Sequence, residues 1–124
     1  MSDTRVSHLR CEYLDDPLGL DEPRPRLSWR LESRRRGARQ SAYRVEVFSS
    51  AGILGHEDAD VWDSGWVEDD RTTHVVYRGR PLRSRDRCHW RVAVKDETGA
   101  VSHSGSALWT MGLLESSDWV ARWI

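Results

Sequence analysis

Glu57, Asp58 and Asp60 cluster in this chain, and Asp69 lies beside Asp70. A pair of carboxylates hydrolyses a glycosidic bond only when the two face each other across a cleft, about 5 to 10 Å apart. Carboxylates that adjoin one another on loops are solvated instead, and these are read that way. The five histidines, His8, His56, His74, His89 and His103, show neither the i, i+4 pair nor the Cys-x-x-Cys spacing of a zinc site. Cys88 and His89 adjoin, but neighbours on a strand point to opposite faces, so they do not share a metal. Ser102-His103-Ser104 sets nucleophile and base types side by side, and the same alternation keeps them from forming a triad. The chain holds no Gly-x-Ser-x-Gly elbow, Walker loop or dinucleotide fingerprint. The sequence therefore assigns no catalytic residue, no cofactor-binding residue and no metal ligand.

Binding chemistry is the other possibility. Arg34, Arg35, Arg36 and Arg39 form a basic run. It lacks interleaved aromatics, and the formal net charge is -1, so the run reads as a solvated turn and not as a nucleic-acid contact. The seven tryptophans are more informative, since seven in 124 residues is a high share. Exposed aromatic rings are how many binding modules stack on sugars. Trp66 is the best candidate for such a glycan platform, with Trp62 beside it. The competing reading of Trp66 is a partly buried strand residue. Trp29 and Trp90 fit core positions on facing strands. Trp62 precedes Asp63-Ser64-Gly65, a turn-like motif, and is expected at a sheet edge. Trp109 stays unassigned.

The elements that position these residues are strands. Leu27, Trp29 and Leu31 alternate with Ser28 and Arg30, which is period two. Tyr43, Val45 and Val47 do the same against Arg44 and Glu46. Val75 and Tyr77 repeat the pattern weakly. Trp90, Val92 and Val94 alternate with Arg91, Ala93 and Lys95. Half-buried antiparallel strands need this arrangement. Turn residues separate the runs. The segment from Asp21 to Pro25 keeps the approach to a strand extended. Gly37 is the natural left-handed residue after the Arg run. Asp96-Glu97-Thr98-Gly99 predicts a hairpin turn before the last strand. The stretch from Ala51 to Asp60 is the least strand-like. About seven strands at this spacing predict an all-β fold, a two-sheet antiparallel sandwich. The length suits one domain.

No apolar run approaches the ~20 residues of a membrane helix, and the polar N-terminus lacks a signal-peptide core. The chain is expected in the cytoplasm, with no membrane and no nucleic acid among its partners. Cys11 and Cys88 are too few for a disulfide framework. A bridge between them fits a sandwich but not a reducing compartment.

Two resemblances sharpen this reading. Pro81-Leu82, Cys88, Trp90, Val92, Val94, Asp96 and Gly99 resemble the corner region of fibronectin type III domains. That family places a Tyr six residues after the Leu; here Cys88 follows Leu82 at that spacing. The fuller match is to the N-terminal fibronectin-like or immunoglobulin-like domain of bacterial α-L-rhamnosidases, glycoside hydrolase family 78. It rests on Pro17-Leu18-Gly19-Leu20-Asp21, Pro25-Arg26-Leu27-Ser28-Trp29, Gln40-Ser41-Ala42-Tyr43-Arg44-Val45 and Val61-Trp62-Asp63-Ser64-Gly65. It continues through Tyr77-Arg78-Gly79-Arg80-Pro81-Leu82, Trp90-Arg91-Val92, Met111-Gly112-Leu113-Leu114, Asp118-Trp119 and Trp123-Ile124. The pieces lie in the family's order and cover nearly the whole chain. The resemblance implies a domain that precedes further β domains and a helical barrel, where the carboxylates that cleave the rhamnoside lie. None of those carboxylates has a counterpart here. His103 stands where the family often has an aromatic, which implies a packing role.

The expected organisation is a sandwich over residues 1–114, then a linker and the start of a following domain over 115–124. Trp119, Trp123 and Ile124 are expected to contact that next domain. The expected function is a non-catalytic accessory domain of an α-L-rhamnosidase-like enzyme, with the following domains of the same polypeptide as partners and no cofactor. The alternative is a free-standing carbohydrate-binding module for rhamnose-containing glycans, built on Trp66 and Trp62.

Overall fold

A computed structural model describes residues 4–33, 39–49 and 59–113. Among the described residues every regular element is a strand: β1 (Arg5–Cys11), β2 (Arg26–Glu32), β3 (Gln40–Phe48), β4 (Trp62–Asp63), β5 (Val75–Val76), β6 (Arg87–Asp96), β7 (Val101–His103) and β8 (Ala107–Thr110). One sheet has the order β1-β2-β5. The other has the order β4-β3-β6-β7, and β8 also pairs with β6. Every strand pairing is antiparallel. The expected all-β sandwich is what the chain forms.

The period-two residues point into the space between the sheets. Leu27 and Trp29 from β2 meet Val45 and Val47 from β3 and Trp90, Val92 and Val94 from β6, all essentially inaccessible to water. Burying each such side chain stabilises the fold by about 1.5–3 kcal/mol. Trp29 and Trp90 thus lie in opposite sheets, as their spacing predicted. Trp109, which the sequence left unassigned, is also fully buried. Its ring meets Trp90 edge to face at 6.2 Å and Tyr77 at 6.0 Å. Among the described residues the indole N–H groups of Trp90 and Trp109 find no acceptor, at a cost of roughly 1–3 kcal/mol each.

Three sequence expectations need correction. β1 was not foreseen, because its inward residues Val6 and Cys11 are five apart and break the alternation. A bulge between Ser7 and Arg10, with His8 at φ 53°, shifts the register and restores both residues to the core. The single last strand is two strands. Ser104 interrupts the edge: its hydroxyl accepts from the Val92 N–H and its own N–H donates to the Val92 carbonyl. β7 and β8 therefore pair separately with two parts of β6. His103 is exposed on short β7, so it does not pack as the resemblance implied. It pairs with Ala93, whose side chain faces away from the inter-sheet core.

The turn at Asp96-Glu97-Thr98-Gly99 forms as predicted. One Asp96 carboxylate oxygen accepts from the Thr98 N–H and hydroxyl and from the Ala100 N–H, and Gly99 takes φ 87°. The turn expected at Arg34 to Gly37 and residues 51–58 lie outside the described residues. So do Trp119, Trp123 and Ile124 and the proposed linker.

Candidate functional site

Among the described residues, the fold assembles one group that carries the residue types of a hydrolase. The Ser7 hydroxyl lies 3.0 Å from His8 Nδ1 and 3.1 Å from Glu32 Oε1, and Glu32 Oε1 is 3.8 Å from the same Nδ1. β1 pairs with β2 there, which brings residues 25 apart in sequence together, so sequence reasoning missed the group. Its geometry does not serve nucleophilic catalysis. A triad needs the serine on one ring nitrogen and the carboxylate on the other. Here both meet Nδ1, and the serine proton is engaged by the carboxylate. Histidine and glutamate are also about half exposed.

Among the described residues, Asp60 and Asp69 from the acidic groups chosen from sequence are engaged by local bonds. Asp69 caps the N–H of Arg71. Asp60 accepts from the Ser49 N–H and hydroxyl. Burial raises the Asp60 pKa, but the Ser49 bonds, the Asp60 backbone N–H and the charge of Arg80 together hold the carboxyl below the ordinary range. Glu57 and Asp58 lie outside the described residues.

The glycan candidates separate. Trp66 is 38% exposed, and the Lys95 ammonium sits 4.5 Å from its ring centroid. That cation occupies a ring face that a sugar would need. Trp62 is at the sheet edge, as expected, on β4. Its ring meets Tyr77 edge to face at 5.3 Å. It lines a cleft of about 340 Å³ with Tyr43, Val75, Arg71, His74 and Arg78. Trp66 is not among the residues that line this cleft.

A second surface lies on the connection from β1 to β2. Tyr13, Leu14 and Leu18 are 50%, 53% and 73% exposed. Glu12, Tyr13 and Asp16 all take left-handed φ, at 49°, 65° and 44°. Residues of these types pay for that conformation, so the surrounding structure must impose it. It does. Cys11 and Leu14 exchange two backbone bonds, and the Glu12 N–H donates to the Arg26 carbonyl. Asp16 Oδ1 accepts from the Leu108 N–H. Gly19 donates to the Thr110 hydroxyl, Thr110 to the Pro17 carbonyl, and Gly112 to the Leu20 carbonyl. A Cβ on Gly112 would stand 2.9 Å from the Gly19 carbonyl oxygen, so the two segments approach as only glycine allows. The apolar tips are thus held rigidly outward, beside the strand that leads to Leu113.

The cysteines are not a site. Cys11 and Cys88 are both free and buried in the core. Burial pushes the Cys88 thiol up to about 12 and the Cys11 thiol higher still. Cys88 replaces the expected corner tyrosine. Tyr77, which the sequence placed only as a weak strand residue, ties a nearby loop instead: its hydroxyl donates to the Arg80 carbonyl.

Comparison with known proteins fits this arrangement. The family described as Rha78A-like, N-terminal immunoglobulin domain matches residues 6–115. An α-L-rhamnosidase of Streptomyces avermitilis is 48% identical over 125 aligned positions, covering 100% of this chain but 12% of that protein. The crystal structure of the Streptomyces avermitilis α-L-rhamnosidase complexed with L-rhamnose superposes with a TM-score of 0.88 at 47% identity. It covers 94% of this chain and 11% of that one. The α-L-rhamnosidase structure from Dictyoglumus thermophilum also gives a TM-score of 0.88, at 30% identity, covering 93% of this chain and 13% of that one. This chain therefore spans about an eighth of its relatives' length. The chain belongs to the Rha78A-like N-terminal immunoglobulin domain family.

Proposed function

We propose that this chain is a non-catalytic accessory domain of a larger α-L-rhamnosidase-like glycoside hydrolase. In this reading the longer polypeptide hydrolyses terminal α-L-rhamnosides with carboxylates that lie outside these 124 residues. The domain packs against the domains that follow and fixes their positions. One observation carries the reading: a relative aligns with the whole chain at 48% identity while the chain covers only 12% of that relative. The braced surface at Tyr13, Leu14 and Leu18 supports it further. Exposed apolar patches rimmed by polar groups mark contact surfaces, and this one adjoins the strand through which the chain continues.

The test is removal of the domain from the longer polypeptide. Loss of its contacts should lower the thermal midpoint of the remainder or expose it to proteolysis. A remainder as stable and as active as the whole would contradict a positioning role.

A further inference from the structure

The cleft at Trp62 has features that neither the packing role nor the core requires. It opens between the edge strands of the two sheets, β4 on one side and β5 on the other. Tyr43, Trp62 and Val75 give it an apolar and aromatic lining. Its mouth is cationic. Arg71 and Arg78 line it, with His74 between them in sequence, and neither guanidinium forms an ion pair among the described residues. The lining carboxylate, Asp63, is already held by two bonds from Arg44. Asp69 stands near Tyr43 and caps the Arg71 N–H. In a chain of net charge -1, this is a local excess of positive charge over an aromatic floor.

The walls are pre-set. Gln40 is buried, and it spends its side-chain amide on the wall that carries Arg71. Its oxygen accepts from the Trp29 indole, and its nitrogen donates to the carbonyls of Asp69 and Arg71, at 2.9 and 2.7 Å. Trp29 also donates its backbone N–H to the Thr72 carbonyl. On the opposite wall Tyr43 and Val67 exchange two backbone bonds, and the Ser64 hydroxyl accepts from the Val45 N–H. Burial and, after it, the Asp69 carboxylate raise the Tyr43 phenol pKa, and Arg71 and Arg78 oppose them. Both arginines line the same cleft as Tyr43.

We propose that this cleft binds a sugar ring bearing an anionic group, a carboxylate or a sulfate. The volume is at the lower end for a small-ligand site and suits one ring. Trp62 meets the ring's C–H face, and the largely buried Tyr43 closes the floor beneath it. Arg71 and Arg78 take the anion through charge-assisted bonds, which arginine forms in pairs. The proposal stands apart from the accessory-domain reading, because it needs only this chain.

The test is an NMR titration of the 124-residue chain at constant ionic strength. The probes are D-glucuronic acid, a sulfated monosaccharide, L-rhamnose and sodium sulfate. An acidic sugar should shift the Trp62 indole and the Val75 and Val76 amides with millimolar affinity, and leave Trp66 unmoved. The double variant Arg71→Ala/Arg78→Ala should weaken that binding roughly ten-fold, the loss expected of one charge-assisted bond or more. Both side chains are exposed, so the variant keeps its fold, which its dispersed spectrum checks. Three results would overturn the proposal: no shift with either acidic sugar, equal shifts with L-rhamnose, or equal shifts with sulfate alone. Binding retained by the double variant would overturn it as well.

Discussion

Glu12 holds Arg26 with both carboxylate oxygens. Oε2 accepts from Arg26 Nε at 3.0 Å and from its backbone N–H at 2.6 Å, and Oε1 accepts from Nη2 at 3.1 Å. The Arg26 guanidinium also lies 5.2 Å from the Tyr13 ring centroid. One ion pair thus pins the strained Glu12–Tyr13 turn onto the first residue of β2. The side-chain bond to Arg26 is the main reason the Glu12 carboxyl titrates below its ordinary value. Arg44 does the same for Asp63.

A pH dependence follows. Each carboxyl has a lower pKa folded than unfolded. Its contribution is complete above the ordinary carboxyl range and is lost as pH falls through the lowered folded value. These two pairs make the thermal midpoint fall at pH below the ordinary carboxyl range, and His89, whose pKa burial lowers, adds a decline as pH falls through the ordinary imidazole range. Glu12→Gln should lower the midpoint at neutral pH and make the acid fall shallower. A Glu12→Gln curve parallel to wild type would show that the pair contributes nothing.

Trp90 sits at the centre of β6, fully buried, opposite Val47 in register. Trp90→Ala should cost about 3–5 kcal/mol, from lost transfer energy and the cavity left behind. Urea denaturation followed by circular dichroism measures this. A midpoint equal to wild type would remove Trp90 from the core.

Gly79 illustrates a tighter constraint. A Cβ there would stand 2.5 Å from the Cβ of Trp62 and 2.5 Å from the Tyr77 hydroxyl. Tyr77 cannot yield freely, since its ring is buried against Trp109 and its hydroxyl is bonded. Gly79→Ala should destabilise by about 1–3 kcal/mol through overpacking. It should also move the Trp62 indole resonance, because Trp62 is the neighbour that must shift.

The long strands were legible because their inward residues keep strict period two: Leu27 and Trp29, Tyr43 to Val47, Trp90 to Val94. β1 was not, since its bulge at His8 breaks the parity. β4 and β5 are two residues each, too short to show a period. Glu46 reads as an outward polar residue, yet it is buried, because Arg91 on the neighbouring strand bonds its carboxylate at 3.1 and 3.3 Å. Trp62 was legible as an edge residue from the turn that follows it. The cleft it lines was not, because Arg71 and Arg78 reach it only through the pairing of β5 with β2 and the bonds of Gln40. Lys95 covers Trp66 for a similar reason: β6 and the segment after β4 meet only in the fold.

The exposed tips of the β1–β2 connection give a separable prediction. Leu18 is 73% exposed, so Leu18→Asp should leave the unfolding free energy of the isolated domain within about 0.5 kcal/mol of wild type. If this surface is the contact in the longer polypeptide, the same change would bury a charge there and lower the midpoint of the whole. No difference between the two settings would mean that this surface is not the contact.

The most direct measurement is hydrolysis of an aryl α-L-rhamnoside by the purified 124-residue chain, beside the intact mass of the natural protein that carries it. The chain alone should give no hydrolysis, and the natural protein should be far heavier than 14.4 kDa, with the activity in that longer polypeptide. Hydrolysis by the chain itself, or a natural product of 14.4 kDa, would contradict the accessory-domain reading.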